Sequence, residues 1–134
     1  MARIFVDSGV LLDAVHGIGG KREAALAFLE DPEHTFLTSP FVYLETLPKA
    51  RYNRRPVEVA FYEKYFSSAA WTSDVQAILA QGIDIADREG VGPMDALHVA
   101  AAAILKADEL VTVEKPAKSI HRARAVRVVY LYRR

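Results

Sequence analysis

The chain has 134 residues, of which 51% are hydrophobic, and its 17 basic residues balance its 17 acidic ones. This length and apolar content predict one globular domain over residues 1–134, with a sizeable core. The zero net charge does not indicate a general nucleic-acid binder, and the absence of cysteine excludes disulfides, thiolate metal sites and a cysteine nucleophile. Neither a signal segment nor a membrane-length apolar run is present, so we expect a cytoplasmic protein without a membrane partner.

Short apolar runs alternate with helical patterns along the whole chain. The predicted strands cover residues 3–6, 34–38, 69–72, 109–113 and 126–131. Helical patterns cover residues 10–15, 21–30, 40–47, 57–66, 74–89 and 92–102, and a basic loop or short helix precedes the last strand. This alternation predicts an α/β fold in which a mostly parallel sheet carries helices on both faces.

Four carboxylates stand at the ends of elements or on an inward helix face. Asp7 closes the first strand, and Glu114 follows the fourth. Asp95 falls in the first turn of a mostly apolar helix, where the unpaired N–H groups and the helix dipole favour a negative charge. Glu45 lies on the inward stripe of its own helix. Ligand-binding residues collect at the carboxyl ends of parallel strands, so we expect these acids to share one cleft.

The chemistry of such a cleft points to a divalent cation. Carboxylates that lie together repel one another, and the pKa of each rises unless a cation neutralises them. Hard oxygen ligands, without a histidine or cysteine cluster, favour Mg²⁺ or Mn²⁺ over zinc. Acid pockets of this kind serve phosphoryl transfer, in which the metal polarises the phosphate and lowers the pKa of a water nucleophile.

Four segments in chain order carry a resemblance to a known family. They are Phe5-Val6-Asp7-Ser8, Ser39-Pro40-Phe41-Val42-Tyr43-Leu44-Glu45, Asp95-Ala96-Leu97-His98-Val99-Ala100-Ala101-Ala102 and Leu110-Val111-Thr112-Val113-Glu114. Together they resemble PIN-domain proteins, and in particular the VapC-type toxin ribonucleases of prokaryotic toxin–antitoxin pairs. The third segment is the most specific of the four, and the match covers nearly the whole chain.

This resemblance implies a three-layer α/β/α sandwich with a five-stranded sheet, RNA as the substrate, Mg²⁺ or Mn²⁺ as the cofactor, a homodimer and an antitoxin partner. It assigns acidic-site roles to Asp7, Glu45 and Asp95. We therefore expect a metal-dependent endoribonuclease in which Asp7 and Asp95 hold the ion, while Glu45 and Glu114 bind it directly or through water. The activated water then attacks an RNA phosphodiester in line.

Glu114 departs from the family pattern, which usually has aspartate at this place. Its extra methylene moves the carboxylate by more than about an ångström, and Lys115 places a positive charge beside it. The alternative is therefore a catalytically weak or inactive PIN-like module that binds RNA or a protein partner. A phosphatase of the haloacid-dehalogenase type is disfavoured, because Gly9 stands where the second aspartate of that family would be.

Two polar residues near the acids are candidates for a supporting role, and a third is expected in the core. Ser8 and Thr112 are predicted to hold the carboxylates in place by hydrogen bonds. His98 lies one turn after Asp95, and a histidine in an apolar helix is typically a hydrogen-bonded core residue.

Two basic clusters complete the set of candidates. Basic side chains are usually solvated, but beside a metal site they also suit the phosphate groups of RNA. Glu45 has a structural interpretation as well, as the partner of Lys49 in a surface ion pair four residues apart. The predicted RNA-binding residues are Lys49, Arg51, Arg54, Arg55, Lys115 and Lys118.

Overall fold

The computed structural model describes residues 1–134 and contains one sheet of five strands. The strands are β1 (Ala2–Val6), β2 (His34–Thr38), β3 (Ala70–Trp71), β4 (Glu109–Thr112) and β5 (Val128–Tyr130). Their order is β3-β2-β1-β4-β5, and every neighbouring pair is parallel. The predicted α/β fold with a five-stranded sheet is confirmed, and the sheet is parallel throughout rather than mostly parallel.

Six α-helices connect and cover these strands. They are α1 (Ser8–His16), α2 (Lys21–Leu29), α3 (Pro40–Tyr52), α4 (Pro56–Ser68), α5 (Val75–Glu89) and α6 (Pro93–Ile104). Short 3₁₀ turns follow at Ser119–Arg122 and Leu131–Arg133. No helix combines the length and the apolar character that crossing a bilayer would require.

Local sequence signals explain where several helices begin and end. The Ser39 hydroxyl accepts a hydrogen bond from the Phe41 N–H at 3.2 Å, and Pro40 occupies the first position of α3. The Asp74 carboxylate caps α5 through the Ala77 N–H at 3.1 Å. Gly90 ends α5 with a φ of 68°, a left-handed conformation that glycine adopts without steric cost.

The last strand is shorter than predicted. The apolar run at residues 126–131 predicts a strand over its whole length, but only residues 128–130 pair with β4. Val126 and Leu131 are nevertheless buried, so their apolar character reflects packing in irregular backbone and a 3₁₀ turn. An apolar run in a sequence therefore indicates burial but does not distinguish a strand from buried irregular backbone.

The sheet order places the functional end of the molecule. The chain leaves β1 for β2 on one side and returns to β4 on the other, so β1 lies between them. The carboxyl ends of β1 and β4 meet at this reversal, which is where ligands bind in open parallel sheets. Ile4, Phe5 and Val6 are fully buried, so β1 forms the floor of this region.

Helix α6 packs tightly against both the sheet and α5. Val99 and the three alanines that follow it are fully buried, and their small side chains let the helix come close to the sheet. Gly82 lets α5 come close to α6, since a Cβ there would lie 3.0 Å from the Leu97 side chain. The close packing fixes the N-terminus of α6, and with it Asp95, at the carboxyl edge of the sheet.

Candidate active site

Asp7 is a buried carboxylate at the switch point of the sheet. It follows β1 directly, and its N–H donates to the Val111 carbonyl of the neighbouring strand at 3.1 Å. The residue is 5% exposed. The Thr112 hydroxyl donates to Oδ2 at 2.5 Å, whereas Oδ1 is buried without any hydrogen-bond partner. It caps α1 with its backbone alone, because its side chain makes no capping bond.

Thr112 links the Asp7 carboxylate to the turn after β4. Its hydroxyl donates to Asp7 and accepts the Glu114 N–H at 3.0 Å. The Glu114 carbonyl contacts His121 Nε2 at 2.8 Å, while the Glu114 side chain is exposed. The contacts predicted for a supporting Thr112 are therefore present. The carboxylate of Glu114 reaches into solvent at the rim, with Lys115 next to it.

Gly9 lets α1 lie close to the strand edge beside Asp7. A Cβ at this position would lie 2.6 Å from Val113 Cγ2 and 3.4 Å from Asp7 Oδ1. A side chain therefore requires Val113 to move. The site does not accommodate a second aspartate here, which agrees with the sequence argument against a dehalogenase-type phosphatase.

Two donors hold the Glu45 carboxylate, one from each of two other helices. The Ser8 hydroxyl of α1 donates to Oε1 at 2.9 Å, and His98 Nε2 of α6 lies 2.6 Å from the same oxygen. These hydrogen bonds, led by that from His98, hold the pKa of Glu45 below its ordinary value. Glu45 therefore points into the cleft, and it makes no ion pair with Lys49.

His98 is the residue that sequence reasoning placed only in the core. Its 1% exposure confirms that placement, but its partner is one of the predicted site acids. Nδ1 is buried without a hydrogen-bond partner, so the contact with Glu45 is the one hydrogen bond that orients the ring. A sequence signal was available, since His98 is three residues after Asp95 and shares its helix face.

Asp95 is the acid whose charge interacts with each of the other three. Burial raises the pKa of Asp7 to about 6, the negative charge of Asp95 adds to this, and Thr112 and His98 oppose it. Burial also raises the pKa of half-buried Asp95, and the charges of Glu114 and Glu45 raise it further. The structure therefore brings together Asp7, Glu45, Asp95 and Glu114, whose charges disfavour one another in the absence of a cation.

The donor set suits a hard divalent cation. The cluster offers carboxylate oxygens, and Asp7 Oδ1 is a buried acceptor with no donor of its own. As they stand, no three histidine or acidic side chains approach closely enough to hold an ion together. Asp7 and Asp95, on adjacent element ends, are the acids that would hold one.

The first basic cluster adjoins the acids through a cavity. A cavity of about 310 Å³ lies between α1, α3 and the start of α4, and Glu45 lines it together with Lys49 and Arg55. Arg51 turns away from it, donating to the Tyr43 hydroxyl at 2.9 Å and facing Glu63 at 3.6 Å. Arg54 lines a separate shallow surface with Arg51 and Arg55. The structure therefore brings Lys49 and Arg55 to the site and leaves the other two outside.

The second basic cluster lies in the turn after β4, next to Glu114 in the chain. Lys115 and Lys118 are exposed in the turn that follows Glu114. The Lys118 N–H donates to the Lys115 carbonyl at 2.9 Å, which closes this turn. Basic side chains therefore accompany Glu45 in the cavity and follow Glu114 in the chain.

Comparison with known proteins identifies the family. The model of the PIN domain family matches residues 4–121. The chain belongs to the PIN-domain family. No curated protein matches its sequence significantly. The recognition made from the four sequence segments is confirmed.

Two solved structures share the fold of this PIN domain. One is a chain of a toxin–antitoxin complex from Klebsiella pneumoniae, with 20% identity and a TM-score of 0.70 over 96% of this chain and 98% of that one. The other belongs to VapBC2 from Rickettsia felis bound to a DNA fragment from their promoter. It has 14% identity and a TM-score of 0.70 over 95% of this chain and 97% of that one. At these identities the likeness establishes the fold.

Proposed function

We propose that this PIN domain is a metal-dependent endoribonuclease with Asp7, Glu45, Asp95 and Glu114 as its active-site acids. PIN domains are generally nucleases, and those nucleases generally use divalent metals. The observation that carries the proposal is the buried Asp7 carboxylate, which leaves one oxygen unpaired among three further acids. Burying a charge without a partner lowers the stability of the fold. Such a residue is retained where function requires it.

The contacts of each acid suggest its part in hydrolysis. Asp7 and Asp95 would hold Mg²⁺ or Mn²⁺, which when bound polarises a phosphodiester and lowers the pKa of a water molecule. Ser8 and His98 fix Glu45 through Oε1, and the second oxygen is left to orient the attacking water. Thr112 keeps Asp7 and the Glu114 turn in register.

The bond changes follow from attack by water. A proton leaves the water as its oxygen bonds to phosphorus, the bond from phosphorus to the 3′ oxygen breaks, and that oxygen takes up a proton. The products carry 5′-phosphate and 3′-hydroxyl ends. Lys49, Arg55, Lys115 and Lys118 would bind phosphate groups on either side of the cut, positioning the strand without reading its sequence.

A cleavage time course tests this function. A mixed structured RNA is incubated with Mg²⁺, Mn²⁺ or EDTA, using the natural protein, Asp95→Asn and Asp84→Asn. Asp84 is exposed on α5 and pairs with Arg88 at 3.0 Å, so its variant is the matched control. We expect cutting that needs metal, disappears in Asp95→Asn and continues in the control. Products with 2′,3′-cyclic phosphate would contradict the mechanism.

One observation favours a second candidate, a weak or inactive PIN-like module that binds RNA or a protein. The acids are not gathered within the reach of one ion, and the Glu114 side chain extends into solvent. The two candidates differ in metal binding. Failure of Mn²⁺ to raise the melting temperature, together with RNA binding without cleavage, would favour the inactive module.

We also propose that the protein acts in the cytoplasm as the toxin of a toxin–antitoxin pair, as a homodimer. The fold shared with chains of two toxin–antitoxin complexes supports the toxin role. The homodimer is supported by an apolar stripe on α5, where Val75, Leu79 and Ile83 are spaced four apart and about half exposed. Light scattering of the natural chain and of Leu79→Glu tests it, since the variant should be monomeric.

A further inference from the structure

We propose that the cavity between α1, α3 and the start of α4 binds a guanine base of the RNA, next to the phosphodiester that is cut. This inference rests on the proposed ribonuclease function and gives the active site a base-specific subsite. The cavity of about 310 Å³ lies at the small end of the range known for ligand pockets, which is about 300–1,000 Å³. Glu45 of the acid cluster forms part of its wall, so an occupant lies directly beside the reaction.

A buried carboxylate outside the acid cluster gives this cavity its chemistry. Glu58 of α4 lines the cavity and is only 8% exposed. Its Oε2 accepts two hydrogen bonds, from the Tyr62 hydroxyl at 2.7 Å and from His16 Nε2 at 3.0 Å. No hydrogen bond goes to Oε1. Because an oxygen of a carboxylate has two acceptor sites, Oε2 is saturated and Oε1 remains free for a ligand.

Glu58 is held in its charged form. Burial opposes ionisation, but the hydrogen bonds from Tyr62 and His16 and the nearby charges of His16 and Arg55 outweigh it, so the pKa lies below its ordinary value. An ionised carboxylate accepts hydrogen bonds and donates none. The free oxygen therefore selects a ligand with donors and rejects one that presents acceptors.

Guanine is the nucleobase that fits this requirement. Its Watson–Crick edge carries two neighbouring donors, N1–H and the N2 amino group, and the two acceptor sites of the free Oε1 can take one hydrogen bond from each. Adenine and cytosine place a ring-nitrogen acceptor beside their amino group, and uracil flanks its single donor with two carbonyls, so each turns an acceptor toward Glu58. Lys49 and Asn53, on the same cavity wall, offer donors to guanine O6.

His16 supplies a surface for the face of the base. Its side chain is 46% exposed, and the contact with Glu58 fixes its ring at the cavity wall. Proteins that read single-stranded RNA stack an unpaired base on such a ring while hydrogen-bonding its edge. Glu58 and His16 thus act together, one on the edge and the other on the face.

Sequencing of cut sites tests the subsite during the reaction. Random-sequence RNA is cut by the natural protein, by Glu58→Gln and by Glu63→Gln, and the new 5′ ends are sequenced. We expect guanine at one fixed position beside the cut, about tenfold over the other bases, since a charged hydrogen-bonded contact to a base gives this order of discrimination. Glu58→Gln should still cut but lose the preference. Glu63 is exposed on the same helix, so its variant should keep it.

Binding measured without catalysis separates this inference from the ribonuclease itself. The four nucleoside 5′-monophosphates are titrated in EDTA while the ring signals of His16 are followed by NMR. We expect GMP to shift them at a concentration about tenfold below the other three, and Glu58→Gln to remove the difference. An identical cut-site profile in Glu58→Gln, or cutting of RNA with no GMP shift, would overturn the subsite while leaving the nuclease intact.

Two further outcomes are informative. GMP binding at His16 in a protein that cuts no RNA would refute the ribonuclease and keep the guanine pocket. An arginine-containing peptide also offers paired donors to a carboxylate. If such a peptide shifts His16 and GMP does not, the cavity binds protein, and the guanine proposal is wrong.

Discussion

Asp7 and Glu58 are two buried carboxylates whose surroundings shift the pKa in opposite directions. Asp7 accepts one hydrogen bond, keeps an unpaired oxygen, and has its pKa raised by burial to about 6. Glu58 accepts two hydrogen bonds, has cations near it, and has its pKa lowered. The protein itself thus stabilises the charge of Glu58, whereas the contacts of Asp7 do not offset its burial, and the proposed cation would do so. Burial alone therefore does not tell what an acid is for.

The largest difference between the two acids should appear in catalysis. Asp7→Asn removes a charge at the proposed metal site, and we expect cleavage of any RNA to fall by about a thousandfold. Glu58→Gln should lower cleavage only beside guanine, by about tenfold. Initial rates on oligonucleotides with and without guanine measure both. Equal losses of cleavage on every substrate for the two variants would contradict the separate roles proposed for Asp7 and Glu58.

The two acids should also differ in the sign of their effect on stability. Between the ordinary pKa and about 6, the folded protein binds a proton at Asp7 that the unfolded chain has released. The free energy of unfolding therefore falls as pH rises through this window, by up to about 3 kcal/mol. Asp7→Asn should remove the fall and be the more stable protein at pH 7.5 in EDTA.

Urea unfolding at pH 4.5, 6.0 and 7.5 measures this dependence. Glu58 has the opposite effect, because its pKa is lowered in the folded protein. It stabilises the fold at pH values above its ordinary pKa, and this stabilisation is lost as the pH falls through its pKa in the folded protein. Glu58→Gln should therefore weaken the acid-side loss and leave the fall above pH 4.5 in place. A flat profile for the natural protein between pH 4.5 and 6 would contradict the role given to Asp7.

A bound cation should stabilise through Asp7 and not through Glu58. At ten times its dissociation constant, Mn²⁺ raises the free energy of unfolding by about 1.4 kcal/mol, which corresponds to a few degrees in melting temperature. We expect this shift in the natural protein and in Glu58→Gln, and its loss in Asp7→Asn. Thermal melts with and without Mn²⁺ decide it, and a shift that survives in Asp7→Asn would place the cation elsewhere.

The smallest effect concerns the two histidine–carboxylate pairs. His98 is buried and presents Glu45 to the cleft, whereas His16 is half exposed and its carboxylate partner is buried. His98→Gln should slow cutting of all RNAs by roughly fivefold, since a net hydrogen bond is worth about 1 kcal/mol. His16→Gln should affect only substrates with guanine. The midpoint of Mn²⁺ activation, measured beside urea stability, separates a positioning role of His98 from simple unfolding.

The sequence predicts the elements well where the signal is local. Ser39-Pro40 and the pair Ser73-Asp74 indicate the starts of α3 and α5, because capping depends on neighbouring residues, and the structure selects Asp74 as the cap of α5. The end of β1 and the start of α6 are also marked by neighbouring residues, and these boundaries identify Asp7 and Asp95 as candidates. The strand at residues 126–131 is overpredicted, because buried irregular backbone selects the same apolar side chains.

The contacts between distant segments could not be predicted in this way. Glu45 and His98 are 53 residues apart and meet only through helix packing. Glu58 lies in a helical pattern whose buried face is set by tertiary contacts, so nothing local marks it as a site residue. Lys49 could be matched to Glu45 by spacing, yet a stronger partner in α6 takes that carboxylate.

The order of the strands has a consequence for how the protein is made. The central strand β1 is synthesised first, but β4, its partner on one side, is complete only at Thr112. Pairing across such a separation is slow to form, because a long loop must close before the contact is gained. Asp7 meets Asp95 and Glu114 only after this closure. A nascent chain that has not yet reached Glu114 therefore has no assembled acid cluster.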